Sequence, residues 1–157
     1  MRKLQLYFTL STHILLLGGC GEVESIVLPQ RPPRDQFEAV QKTLLKLGCS
    51  ADGTGCHSVL VGEFKVEPLP KSPSVFDTEF TLTKAFIDLE EPKNSALMRS
   101  SLRGDPLSLG HPICFDSFEA CGFRRIEAWV AFGEGSMLTP DEACPLAEVV
   151  ENACFNR

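Results

Sequence analysis

The chain has 157 residues, 43% of them hydrophobic and 23% charged, which suffices for one compact domain with a modest core and excludes a second full domain. Its 15 basic and 21 acidic residues leave a formal net charge of −6. That balance argues against nucleic acid or anionic lipid as the main partner, because both attract basic patches.

The first segment, MRKLQLYFTLSTHILLLGGC, carries Arg2 and Lys3, an apolar run through Leu17, then Gly18, Gly19 and Cys20. This is the layout of an export signal, and the run is too short for a comfortable membrane span. Its ending, Leu-Gly-Gly-Cys, resembles the lipobox of bacterial lipoproteins. The resemblance implies a signal peptide over residues 1–19, cleavage before Cys20 and diacylglycerol on the Cys20 sulfur. Gly21 follows, with no aspartate retention signal, so the same resemblance implies an outer-membrane lipoprotein of the cell envelope, facing the periplasm or the exterior. Removing residues 1–19 deletes two basic and no acidic residues, so 13 basic stand against 21 acidic, a formal net of −8. Beside Cys20 there remain Cys49, Cys56, Cys114, Cys121, Cys144 and Cys154. In an exporting compartment such thiols pair or carry a cofactor.

Residues 20–34 form the lipidated tether, since GEVESIVLPQRPPR holds three prolines and no helical period. The folded domain spans 35–157. DQFEAVQKTLLKLGC reads as an amphipathic helix with Asp35 as N-cap, Glu38 three residues on, and Phe37, Val40, Leu44 and Leu47 on one face. Gly48 supplies the stop. Prolines 68, 70 and 73 imply an extended surface excursion. Beyond it, Phe76, Phe80, Leu82, Phe86, Ile87 and Leu89 can be buried, and a helix is expected over 79–90. EPKNSALMRSSL reads as a turn and a brief helical piece, and RGDPLSLGHPIC as loop. FEACGFRRIEAWVAFGEG is the clearest late helix: Phe123, Ile126, Trp129 and Val130 share one face, the charges of Arg124, Arg125 and Glu127 lie mostly elsewhere, and Gly133 and Gly135 close it. In the last segment Thr139 is the cap, Pro140 the first helical residue, and two acids fill the first turn. One unbroken helix would hold Cys144 and Cys154 about 15 Å apart, so each must bond elsewhere.

The segment KLGCSADGTGCHSVL then joins Cys49, six residues, Cys56 and at once His57. Three chemistries fit. Covalent haem needs two thiols for thioethers and a histidine directly after the second, normally with two residues between the cysteines; here Gly53 and Gly55 allow the longer insert to bulge. A Cys49–Cys56 disulfide needs only Cα atoms within about 4.4–6.8 Å. Zinc takes thiolates and imidazole, though a closed site needs four ligands. Spacing alone leaves the three open.

The order of VQKTLLKLGCSADGTGCH, EPKNSALM, GHPICF and FRRIEAWVAFGEG resembles the c-type cytochrome-like domains of bacterial lipoproteins over residues 37–135. The chain departs from that family in its six-residue cysteine spacing and in Pro112, Ile113 and Cys114 after the Gly-His pair. The resemblance implies a mainly α, small cytochrome c-like domain with long loops and disulfides, and haem c on Cys49 and Cys56 with His57 as proximal ligand. His111 matches the Gly-His position and is the first distal candidate, with Met98 and Met137 the alternatives. It further implies one-electron transfer with a redox protein partner. The alternative function is a disulfide-stabilised, non-haem envelope lipoprotein acting as an interaction or structural module.

With haem on Cys49 and Cys56, the other four cysteines allow three pairings, and some of them should staple the C-terminal extension to the Gly-His loop and the last core helix. An enzyme is not indicated: nothing supports a reduced, low-pKa cysteine nucleophile, and no phosphate loop or serine elbow is present. Glu90 and Glu91, like Asp141 and Glu142, read as helix-end charges. Trp129 reads as core.

Overall fold

The computed structural model describes residues 31–49, 66–133 and 136–154. The fold is small, mainly helical and disulfide-bonded. Among the described residues the α-helices are α1 (Phe37–Leu47), α2 (Pro73–Thr83), α3 (Ala96–Arg99), α4 (Cys121–Ala131) and α5 (Pro140–Ala143), linked by loops and short 3-10 turns. In place of strands there are isolated bridges, Leu102 to Phe115 and Phe132 to Ser136.

In α1, Phe37, Val40, Leu44 and Leu47 are all buried, as their spacing requires, and Gly48 ends the helix at φ 88° in the left-handed region. The N-terminus differs from expectation. A 3-10 turn over Arg34–Gln36 precedes the helix, and Gln36, already in helical conformation, stands at the cap without a side-chain bond. Asp35 is therefore inside the turn, and Glu38 pairs with Lys42 at 2.7 Å instead of closing a capping box. Residues at the end of the expected tether lie against the domain: the Trp129 indole donates to Pro33 O at 2.8 Å, and Arg31 Nε donates to Phe132 O at 3.3 Å.

The second main correction concerns α2. The helix runs Pro73–Thr83, not 79–90. Ser72 accepts from Val75 N, and Pro73 occupies the first turn, where its missing N–H costs nothing. The last of the three prolines thus starts the helix, where the sequence reading took it as more of the excursion. After Thr83 a 3-10 turn over Lys84–Phe86 leads to an extended Ile87. Phe80 is buried, while Leu89 is 37% exposed.

The helix α4 carries the core. Phe123, Ile126, Trp129 and Val130 are each wholly buried. Each such side chain contributes roughly 1.5–3 kcal/mol relative to exposure. Phe37, Phe80 and Trp129 form one aromatic group with centroids 5.4–6.3 Å apart, and Phe115 and Phe118 meet Phe123 edge-on at 5.6 and 5.2 Å. α1 and α4 approach closely at Gly122, where a Cβ would lie 3.1 Å from the Phe115 ring and 3.3 Å from Leu47.

The C-terminal segment straps this pair of helices. Thr139 and Glu142 form a complete capping box on α5, with Pro140 at its start, as expected. The helix lasts one turn because Cys144 is extended and Pro145 follows. Beyond it, Asn152 N donates to Lys46 O at 2.8 Å and Cys154 N to Leu47 O at 3.1 Å, while Lys46 Nζ donates to Leu146 O and Ala147 O. The bonds Cys121–Cys144 and Cys114–Cys154 complete the strap. They join the start of α4 and the Gly-His loop to the C-terminal extension, the stapling that the sequence reading anticipated. None of the helices among the described residues is long and apolar enough to cross a membrane.

Candidate functional site

Cys20, Cys56 and His57 lie outside the described residues. Of the remaining candidates, Cys49 follows Gly48 at the end of α1, held by Cys49 N donating to Leu44 O at 2.9 Å. Its side chain is half-buried against the core, and its Sγ lies 3.7 Å from Cys154 Sγ. The sulfurs of Cys49, Cys154 and Cys114 all fall within 4.8 Å of one another. Sequence reading grouped Cys49 with Cys56 because they are neighbours in the chain; its proximity to Cys154, 105 residues away, comes from the two backbone bonds that register the C-terminus on α1.

Met98, in α3, is wholly buried in the hydrophobic core. His111 sits in a turn set by Gly110 at φ 79°, with His111 N donating to Ser108 O at 3.0 Å. Its Nδ1 is 2.8 Å from Ser101 Oγ. Met137 is 75% exposed. The chemistry of the three distal candidates thus differs: a thioether enclosed by core, an imidazole engaged by a hydroxyl, and a thioether in solvent. The Cys49 sulfur faces the Cys114–Cys154 bond, and its partners in the expected attachment segment, Cys56 and His57, lie outside the described residues.

Among the described residues, two small grooves are also open at the surface. One, of about 250 Å³, is lined by Leu47, Cys114, Phe115, Cys121, Gly122 and Val150 among others. The other, of about 200 Å³, lies beside Glu67, Ser74, Thr78 and Glu79. Both are below the roughly 300–1,000 Å³ usual for small-molecule sites.

Buried polar groups were largely missed from the sequence. Glu79, on α2, and Lys71 pair at 2.5 Å with side chains 2% and 3% exposed. Gln41 Nε2 of α1 also donates to Glu79, and Glu67 N donates to Glu79 Oε1 at 2.7 Å. Arg125, expected on the polar side of α4, is wholly buried instead. Its Nε donates to Thr43 Oγ1 at 2.8 Å, and Nη1 donates to Cys144 O and pairs with Asp141 at 2.7 Å. The guanidinium thus ties α1, α4 and the strap together. Its only sequence signal is an arginine pair, Arg124 and Arg125, beside an apolar face.

Three carboxyls have displaced pKa values. The Arg99 side chain, then Leu107 N, hold Asp105 below the usual carboxylate range. Thr139 N and its hydroxyl do the same for Glu142. Burial pushes Glu127 up, with Lys93 partly opposing it. None of the three lies in the sulfur cluster, and all three fit structural roles.

No family model matches this sequence, and neither a curated protein nor a solved structure matches it.

Proposed function

We propose that this chain is a cell-envelope lipoprotein, anchored through Cys20, whose exported domain acts as a disulfide-stapled, non-haem interaction module. The observation that carries this reading is the destination of the cysteines. Cys114 and Cys121 bond to the C-terminal strap, and Cys49 Sγ rests 3.7 Å from Cys154 Sγ. Met98 supports it as core filler, because presenting its thioether to iron would require repacking a closed interior. The acidic balance of the chain favours cationic over anionic partner surfaces.

A second reading, one-electron transfer through haem c on Cys49, Cys56 and His57 with His111 as distal ligand, is favoured by one observation. α1 ends in a left-handed Gly48 immediately before Cys49, so a helix leads directly into the Cys-His segment. Mass spectrometry of the native polypeptide, coexpressed with haem-ligation machinery, separates the two. The proposal expects a diacylglyceryl adduct on Cys20, no porphyrin mass on the Cys49 and Cys56 peptides, and no Soret absorbance. A porphyrin adduct with a Soret band overturns it in favour of the electron carrier.

A further inference from the structure

The sulfurs at the end of α1 and at the C-terminus lie close enough together for thiol–disulfide exchange, in a bent cluster that a turn of the Cys49 side chain would bring into line. Exchange proceeds by attack of a thiolate on one sulfur of a disulfide, through contact between the incoming and central sulfurs. Cys49 Sγ is 3.7 Å from Cys154 Sγ, and Cys154 is bonded to Cys114. The backbone already holds this arrangement. Cys154 N donates to Leu47 O, Asn152 N to Lys46 O, and Cys49 N to Leu44 O, so the backbone segments that carry the two sulfurs are hydrogen-bonded to the same end of α1. The groove lined by Cys114, Leu47 and Gly122 opens this region to a small reagent. Cys121–Cys144 differs: the third ligand-type side chain grouped with it among the described residues is Glu148, not another cysteine.

The geometry points to a disulfide switch in which Cys154 is the shared sulfur and Cys49 and Cys114 are its alternative partners. A Cys49 thiolate, its proton given to solvent, swings about its own side-chain bonds into line with the Cys114–Cys154 bond and attacks Cys154 Sγ. The Cys49–Cys154 bond forms, the Cys114–Cys154 bond breaks, and Cys114 leaves as a thiolate that takes up a proton. One disulfide is exchanged for another, so the step needs no oxidant or reductant. Where Cys49 is itself held in a disulfide, a small dithiol opens that bond first and is oxidised to its own disulfide. The switch moves the C-terminus from the Gly-His loop to the end of α1. Cys114 N donates to Ser101 O, and Ser101 Oγ contacts His111, so the loop that carries His111 keeps these anchors and loses only its tie to the C-terminus. This inference rests on the non-haem reading, because a thioether on Cys49 would leave it no thiolate.

The test treats the oxidised full chain with limiting dithiothreitol, quenches with acid and N-ethylmaleimide, and maps cross-linked peptides by mass spectrometry. Expected is loss of the Cys114–Cys154 peptide in step with gain of a Cys49–Cys154 peptide and alkylated Cys114, while Cys121–Cys144 persists. A Cys49→Ser chain should give no new cross-link, and a Cys114→Ser chain should form Cys49–Cys154 outright. Reduction of both strap disulfides together, with Cys154 appearing only as its alkylated form, overturns the switch. If Cys114→Ser does not fold, the wild-type mapping decides alone. A porphyrin mass on the Cys49 peptide sinks the proposed function, whereas a porphyrin-free Cys49 that never bonds Cys154 sinks only the switch.

Discussion

Replacing Glu79 by glutamine should be among the most damaging conservative changes this domain can suffer. The carboxylate is 2% exposed and receives Lys71 Nζ, Gln41 Nε2 and Glu67 N. Gln41 Nε2 is committed to Glu79, so the unpartnered Gln41 Oε1 could serve Lys71 only if the Gln41 amide turned over and gave up that bond. An amide in place of the carboxylate strips the ammonium, 3% exposed, of its counter-ion and turns one face of the residue into a donor aimed at donors. Breaking one side of a buried ion pair costs about 3–5 kcal/mol. That is about a fifth or more of the roughly 5–15 kcal/mol that holds a domain folded. Urea unfolding of the oxidised protein, followed by fluorescence of Trp129, the chain's single tryptophan, reads the change. With a slope of about 1–3 kcal/mol per molar, the midpoint should fall by at least about 1 M. The double variant Lys71→Met/Glu79→Gln removes both charges and should recover most of the loss, since a paired removal leaves no isolated charge inside. A Glu79→Gln unfolding free energy within about 1 kcal/mol of the parent, or a double variant weaker than the single, refutes the reasoning.

Arg125→Met keeps the apolar stem but leaves Cys144 O without its donor, while Thr43 Oγ1 still donates to Ala39 O; the loss should be about 2–3 kcal/mol by urea unfolding. Asp141→Asn should cost under about 1 kcal/mol, because that carboxylate is 70% exposed; equal losses for the two variants would contradict the assignment. Glu142 has its pKa lowered in the fold, so its contribution is complete above the ordinary carboxylate value and is lost as pH falls through the lowered one; Glu142→Gln should flatten the acid limb of the Tm profile. Glu127 has the opposite sign: its raised pKa means a penalty that grows as pH rises through the folded value, so Glu127→Gln should raise Tm at neutral pH and lose that advantage in acid. Met98→Ala should cost about 2–5 kcal/mol as a core truncation, read by the same urea titration. Replacing both members of Cys114–Cys154, 40 residues apart, should cost about 4 kcal/mol, against about 3 kcal/mol for Cys121–Cys144, 23 apart; a reversed order in thermal unfolding would argue against loop entropy as the source.

Most of the apolar framework was legible because helical spacing is a local property. Phe37, Val40, Leu44 and Leu47, and again Phe123, Ile126, Trp129 and Val130, reach the core on the faces their periodicity assigns. α2 was misplaced by six residues at its start because the same proline that interrupts a helix interior is favoured in its first turn, and Ser72 carried the deciding cap. Asp35 failed as a cap for a tertiary reason: Pro33 is held by the Trp129 indole, 96 residues away, and the chain enters α1 through a 3-10 turn. Arg125 was placed away from the apolar face of its helix, and Glu79 gave no signal of burial, because a charged residue on a helix is normally solvated. Their burial depends on partners at Gln41, Lys71, Thr43 and Cys144 that no local window brings together.

The cysteines divide along the same line. Four cysteines admit three pairings, and sequence distance does not rank them. What selects the observed pair is the break after α5: with Cys144 extended and Pro145 ending the helix, the chain turns back along α1, and the bonds to Lys46 O and Leu47 O bring Cys154 to the helix end. Cys114 reaches the same point from the other side, through Cys114 N to Ser101 O and the Leu102–Phe115 bridge. Cys49 is delivered there by the left-handed turn at Gly48. Three chain segments distant in sequence thus converge on one sulfur, each carried there by its own backbone hydrogen bonds. The exchange proposed above follows from that convergence: with both neighbours of Cys154 supported by backbone bonds, thiol chemistry is left to decide which two sulfurs are joined.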